Sequence, residues 1–144
     1  MLPGETEFNK KKIIVGCTFV VCDLIHVGHV KLFEKCREQC DILFVGVLTD
    51  EVVETYKRKP IIPIEQRLKM VESIRYVKGV IEVYELDQTR MIKKLEPDVF
   101  FYAGDVDVSK AVNFIESIGG KYIRFQRSGK ISSTQIIEKC QGRK

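Results

Sequence analysis

The sequence predicts a single α/β domain, a five-stranded parallel sheet doubly wound with helices. Three observations predict it. Apolar, β-branched runs alternate with amphipathic segments from end to end. The runs are continuous rather than alternating, as in strands covered on both faces. The length, 144 residues, suits one core, because two would each be too small to stand without help.

Taken in order, residues 13–21 (IIVGCTFVV) read as the first buried strand. HVKLFEKCREQC follows, with Val30, Phe33, Cys36 and Cys40 three or four apart on one helical face. Residues 41–48 (DILFVGVL) form the second strand, and a polar, basic loop comes next. IEQRLKMVESIRYV (64–77) repeats the helical spacing through Ile64, Leu68, Val71 and Ile74. Then come a strand at 80–85, a short helix at 87–95, a strand at 98–104, a helix at 108–120 ended by glycines, a strand at 121–126 and a helix at 133–140. Right-handed crossovers turn this order into an open, Rossmann-like sheet whose ligands lie beyond the carboxyl ends of the strands. Residues 1–12 are a polar lead-in, and the domain runs over 13–144.

Composition narrows the classes of function. The net charge of +4, from 24 basic and 20 acidic residues, admits an anionic small molecule. Nucleic-acid binding is not expected, since no broad basic stripe with interleaved aromatics is present. The lead-in lacks the apolar middle of a signal peptide, and the longest apolar run (13–22) is too short to span a bilayer, so the reading is cytoplasmic without membrane insertion. Five cysteines, at 17, 22, 36, 40 and 140, make an odd set that does not suggest a disulfide framework. Cys36 and Cys40 share a helix face, but their apolar surroundings explain them as core thiols and no metal site is assigned.

Four strand-to-helix loops carry the chemistry. The first, DLIHVGH, holds both histidines of the chain, His26 and His29, around Gly28 at a helix start. Amide donors, a helix dipole, a glycine that permits close approach and two imidazoles together describe a phosphate cradle. The second carries the basic knot Lys57, Arg58 and Lys59, with Arg67 in the first turn of the next helix. The third, YAGDVD, offers Gly104, Asp105 and Asp107 and fits a metal site, a ribose contact or a simple turn. The fourth, RSGKISSTQ, has capping-box spacing from Ser132 to Gln135 and gathers Arg127, Lys130, Ser132, Ser133 and Thr134 at a second helix N-terminus.

These loops, in this order, resemble the HxGH-type nucleotidyltransferases, and their cytidylyltransferase branch in particular. HVGH matches the HxGH signature, YKRKPIIPIEQR resembles the lysine–proline–arginine segment, SIRYVKGVI resembles the segment after it, and RSGKISST resembles the closing RTxGISTT element. The resemblance runs from about Ile13 to Cys140. It is closest to enzymes that activate glycerol phosphate, phosphocholine, phosphoethanolamine or aminoethylphosphonate. Two departures stand out. Val20-Val21-Cys22-Asp23 replaces the family's GTFD, and Gly129-Lys130 stands where the family has a variable residue and then glycine.

The resemblance implies in-line displacement, in which an acceptor phosphate or phosphonate attacks the α-phosphorus of CTP and pyrophosphate leaves. It implies catalytic roles for His26, His29, Lys57 and Arg127. It implies nucleotide contacts from Gly28, Arg67, Gly104, Asp105, Ile131, Ser132, Ser133 and Thr134, and makes Val21, Cys22 and Asp23 candidates for acceptor or phosphate contact. Mg²⁺ is expected to ride mainly on the triphosphate, and a homodimer is expected. Two rival readings are an adenylyltransferase of the same fold, serving a flavin, pantetheine or sugar nucleotide, and a nucleotide-binding module without catalysis. A choline acceptor calls for an aromatic cage, for which Tyr56, Tyr84 and Tyr102 are the candidates.

Overall fold

A computed structural model describes residues 12–126 and 132–142. Its strands are β1 (Val15–Val20), β2 (Ile42–Leu48), β3 (Gly79–Val83), β4 (Val99–Tyr102) and β5 (Lys121–Arg124). All pair in parallel in one sheet of order β3-β2-β1-β4-β5. The central strand β1 pairs with β2 from Val15 opposite Ile42 to Val20 opposite Val47. Its other edge meets β4, with Gly16 opposite Val99. Strand order reverses between β2 and β4 on either side of β1, and such a reversal opens a crevice at the carboxyl ends.

The helices are α1 (Val27–Glu38), α2 (Asp50–Glu54), α3 (Ile64–Glu72), α4 (Thr89–Leu95), α5 (Ser109–Ser117) and α6 (Ser133–Cys140). Several are shorter than the apolar spacing predicts, because that spacing continues into capping turns. The third helix stops at Glu72 rather than at 77. The fifth ends before Gly119, whose φ of +87° is the left-handed conformation that closes helices. The short α2 is not anticipated by the sequence reading, which leaves these residues in a loop. Thr49 starts it by accepting a hydrogen bond from the Val52 amide at 3.3 Å, and two acids occupy its first turn.

The sheet buries two cores, one on each face. On one face Phe19, Phe100 and Tyr102 pack with Val52 and Val53 of α2, Ile92 of α4 and Ile115 of α5. Phe19 meets Phe100 edge-on at 5.4 Å between ring centroids. On the other face Val45, Val47 and Phe101 pack with Phe33 and Cys36 of α1 and Val71 of α3. Phe101 stacks on Phe125 at 5.7 Å. Phe33 and Cys36 lie inward as their spacing predicts, but Val30 is 36% exposed. It sits in the first turn of α1. Cys40 falls just beyond the helix and donates its S–H to the Cys36 carbonyl at 3.2 Å. No group of three or more metal-ligating side chains occurs among the described residues, and no described helix is long and apolar enough to cross a membrane.

One core position is mismatched. Thr18 of β1 is 0% exposed, and its hydroxyl has no hydrogen-bond partner. A buried unpaired hydroxyl costs free energy that an apolar group of similar shape does not. Thr18→Val is therefore expected to stabilise the protein by about 1 kcal/mol, read as a higher urea midpoint at unchanged slope.

Candidate functional site

A cleft of about 720 Å³ opens at the carboxyl ends of β1 and β4. The sequence-predicted residues His26, Gly28, His29 and Lys57 line it. So do Gly104 and Asp105 from the loop after β4, and Ser132, Ser133 and Thr134 at the start of α6. Val21, Cys22 and Asp23 form part of its floor. Arg127 and Ile131, with Lys130, lie outside the described residues.

The two histidines build the helix start between them. His26 is the N-cap of α1, and its Nδ1 accepts from the Gly28 amide at 3.1 Å. His29 Nδ1 accepts in turn from the His26 amide at 3.1 Å. The rings lie 4.0 Å apart between centroids. A ring nitrogen that accepts an N–H carries no proton, so each neutral ring holds its proton on Nε2, the donor sense that a phosphate oxygen requires. Burial also lowers the pKa of His26 from its ordinary value, which keeps that ring neutral near pH 7. The Gly28 amide, which the sequence offers to a phosphate, is engaged by His26.

Asp23 is 3% exposed, and its carboxylate is fully engaged. Oδ2 accepts from the Ile61 amide at 2.9 Å and from Arg58 Nη1 at 3.0 Å, while Oδ1 accepts from the Ile62 amide at 2.9 Å. Burial pushes its pKa up, but the two amides and Arg58 outweigh that and hold it below the ordinary value. The hydroxyl of Ser133 donates to its main-chain carbonyl. Asp23 thus ties the loop after β1 to the basic loop and to the start of α6. On either side of it, Cys22 (φ 53°) and Leu24 (φ 50°) are held left-handed, a conformation that costs non-glycine residues on the order of 1 kcal/mol each.

The basic knot is split by this arrangement. Lys57 lines the cleft, whereas Arg58 turns to Asp23. Arg67, read from the sequence as a nucleotide contact, is 0% exposed and is not part of the cleft wall. Its guanidinium donates to the Ile62 carbonyl at 2.8 Å, to Val21 at 2.7 Å and Leu48 at 2.8 Å, and pairs with Asp50 at 2.5 Å. It is a clamp beneath the site that joins the ends of β1 and β2. Gly104 has a structural reason of its own. A Cβ there would lie 2.6 Å from Tyr102 Cζ and displace the ring whose hydroxyl accepts from the Val106 amide at 3.1 Å.

Sequence reasoning misses part of the wall. Leu32 and Lys35 of α1 line the cleft with Gly28. Their spacing of four and seven residues from Gly28 places all three on one helical face, a signal that was available. Leu48, Leu86 and Phe125 also line it, and each sits at or just past a strand's carboxyl end.

Two expected outcomes test this geometry. Asp23→Ala leaves two amides and a cation without their acceptor and is expected to cost about 3 kcal/mol, with faster hydrogen exchange at Ile61 and Ile62. For His26, the folded pKa lies below the ordinary 6.5, so the folded protein binds fewer protons than the unfolded chain between the two values. Its contribution to stability is complete above the ordinary value and is lost as pH falls through the folded one. His26→Asn keeps a capping acceptor that does not titrate. Urea midpoints measured down this range should fall for the wild type relative to the variant; a constant difference would refute the assignment.

Comparison with known proteins agrees with this architecture. A family model described as cytidylyltransferase-like matches residues 14–139. The bifunctional protein HldE of Citrifermentans bemidjiense is 33% identical over 139 residues, 94% of this chain and 28% of its own length. The FAD synthase of Pyrococcus abyssi is 39% identical over 99 residues, 67% of this chain and 64% of its own length. The chain thus spans a little over a quarter of HldE and under two thirds of that FAD synthase. The crystal structure of a lipopolysaccharide core biosynthesis protein from Thermoplasma volcanium superposes with a TM-score of 0.74 at 21% identity, covering 82% of this chain and all of that one, a likeness of fold. With the family model matched over almost the whole described region, the chain belongs to the cytidylyltransferase-like family of the nucleotidyltransferase superfamily.

Proposed function

We propose that the chain transfers a nucleoside monophosphate from a nucleoside triphosphate to the phosphate or phosphonate oxygen of a small acceptor. The observation that carries this reading is the pair of imidazoles at the N-terminus of α1, both with Nδ1 committed to the backbone, on the wall of the cleft. An acceptor oxygen forms a bond to the α-phosphorus as the bond from that phosphorus to the bridging oxygen breaks, and pyrophosphate departs with the electron pair. The acceptor oxygen is already anionic near neutral pH, so no strong base is required.

Catalysis is then positioning and charge stabilisation. His26 and His29 donate to the α- and β-phosphates, Lys57 draws the acceptor's anion to the α-phosphate, and the start of α6 receives the departing pyrophosphate. Arg67 and Asp23 act through the backbone they hold. Mg²⁺ arriving with the nucleotide would supply neutralisation of the triphosphate's charge, and Asp105 on the cleft wall is the carboxylate of the third loop that could reach it.

The four signature loops support CTP as donor and a small organophosphate or organophosphonate as acceptor. A second reading, adenylyl transfer from ATP, is favoured by the FAD synthase relatives, whose named product contains adenine. Pyrophosphate release measured in parallel with CTP and ATP, with Mg²⁺ and a panel of acceptors, separates the two. His29→Ala is expected to lower the rate roughly 10²–10³-fold. Nucleotide binding without release from any acceptor would overturn the transfer reading in favour of a binding module.

A further inference from the structure

Asp23 joins the first, second and fourth of the functional loops, but none of the bonds described for it reaches the third, residues 103–108. That loop lies on the cleft wall through Ala103, Gly104, Asp105 and Val106. Its fixings come from two residues paired in register at the carboxyl ends of neighbouring strands, Tyr102 of β4 and Arg124 of β5.

Tyr102 is 6% exposed, and its ring packs on Phe100 at 6.3 Å between centroids. Its hydroxyl accepts from the Val106 amide at 3.1 Å. Arg124 Nη2 donates to the Gly104 carbonyl at 3.0 Å. Asp107, the loop's other carboxylate, accepts from the Ser109 amide at 2.9 Å, closes the turn into α5 and is not on the cleft wall. Asp105 therefore stands between two residues whose main-chain groups are each held by a side chain from the sheet. Gly104 fits this account. No left-handed φ calls for a glycine there; what excludes a side chain is the Tyr102 ring, 2.6 Å at Cζ from where a Cβ would sit. Tyrosine and glycine are matched, so that the hydroxyl can pass the loop and reach Val106.

We propose that Tyr102 and Arg124 are positioning residues for the nucleotide, holding the loop of Asp105 in its bound shape before any ligand arrives. This rests on the transfer reading above, in which Gly104 and Asp105 meet the nucleotide, and adds the two residues that prepare them. A loop fixed in advance spares binding the entropy of ordering it. That saving is already present in the bound ground state, so it lowers KM for the nucleotide and leaves kcat alone.

The test uses two variants that keep the packing. Tyr102→Phe retains the ring and removes the acceptor; Arg124→Met retains the stem and removes the donor. Each is expected to weaken calorimetric binding of the tighter of CTP and ATP by about three- to tenfold, with Arg124→Met, whose bond is exposed to solvent, at the lower end. KM for the nucleotide should rise in step, while kcat and the acceptor's KM stay within about twofold. Hydrogen exchange over residues 103–106 supplies a readout that a merely structural role would not move. In the wild type the segment is expected to be protected with or without nucleotide, and in the variants only with it, protection in β1 and β2 being unchanged. Unchanged affinity in a variant removes that residue from the assignment. A wild-type segment that becomes protected only on binding nucleotide overturns the proposal and leaves the transfer reading standing. Absence of turnover with nucleotide still bound sinks the transfer reading, while affinity and exchange still decide the positioning role. A wild type that binds neither CTP nor ATP overturns both.

Discussion

At the carboxyl end of β1 the chain places a carboxylate where water cannot reach it. An isolated charge there would be driven to neutralise, yet Asp23 stays ionised because two amides and a guanidinium converge on it. The donors come from a segment far along the chain, and the residue's own carbonyl receives Ser133 from farther still. Three of the four functional loops meet at one residue. Remove its charge and the floor of the cleft, the placement of Lys57 beside Arg58 and the seat of α6 all lose a common anchor.

Arg67 performs the companion task one layer down. A buried guanidinium is tolerable only when its donors are satisfied, and here carbonyls from β1, β2 and the basic loop, with Asp50, do so. The two residues share the segment around Ile62, the amide bound to Asp23 and the carbonyl bound to Arg67. That double hold explains how Cys22 and Leu24 persist in left-handed conformations. The local cost is met by a network that leaves the backbone no relaxed alternative. Of the GTFD stretch that the resemblance aligns with Val20-Val21-Cys22-Asp23, Asp23 is the surviving member, and it is the one that holds the loop.

How much of this was legible in the sequence depends on range. β1, β2 and β4 were readable because each is a local apolar run, and the site could be placed because a parallel sheet puts its loops in one row. Ser132 was readable because caps act within three residues, while the histidines were read as a helix start without their own capping of it. Arg67 was misplaced for a reason the sequence held: it lies three residues after Ile64 and four before Val71, on the buried face of α3, although its charge reads as solvent-facing. The partners of Asp23 were beyond reach, since no local pattern pairs a residue with others thirty-five or more positions away.

The bond between Ser133 and Asp23 spans 110 residues of chain. Its consequence is one of chain connectivity. β1, α1 and β2 adjoin in sequence, whereas the hydroxyl that closes the floor of the cleft comes from α6, beyond every strand of the sheet. Closing so long a loop is entropically demanding and comes late in folding. A chain cut before α6 would keep all five strands but lose one wall of the cleft, so the sheet and the pocket are separable in sequence.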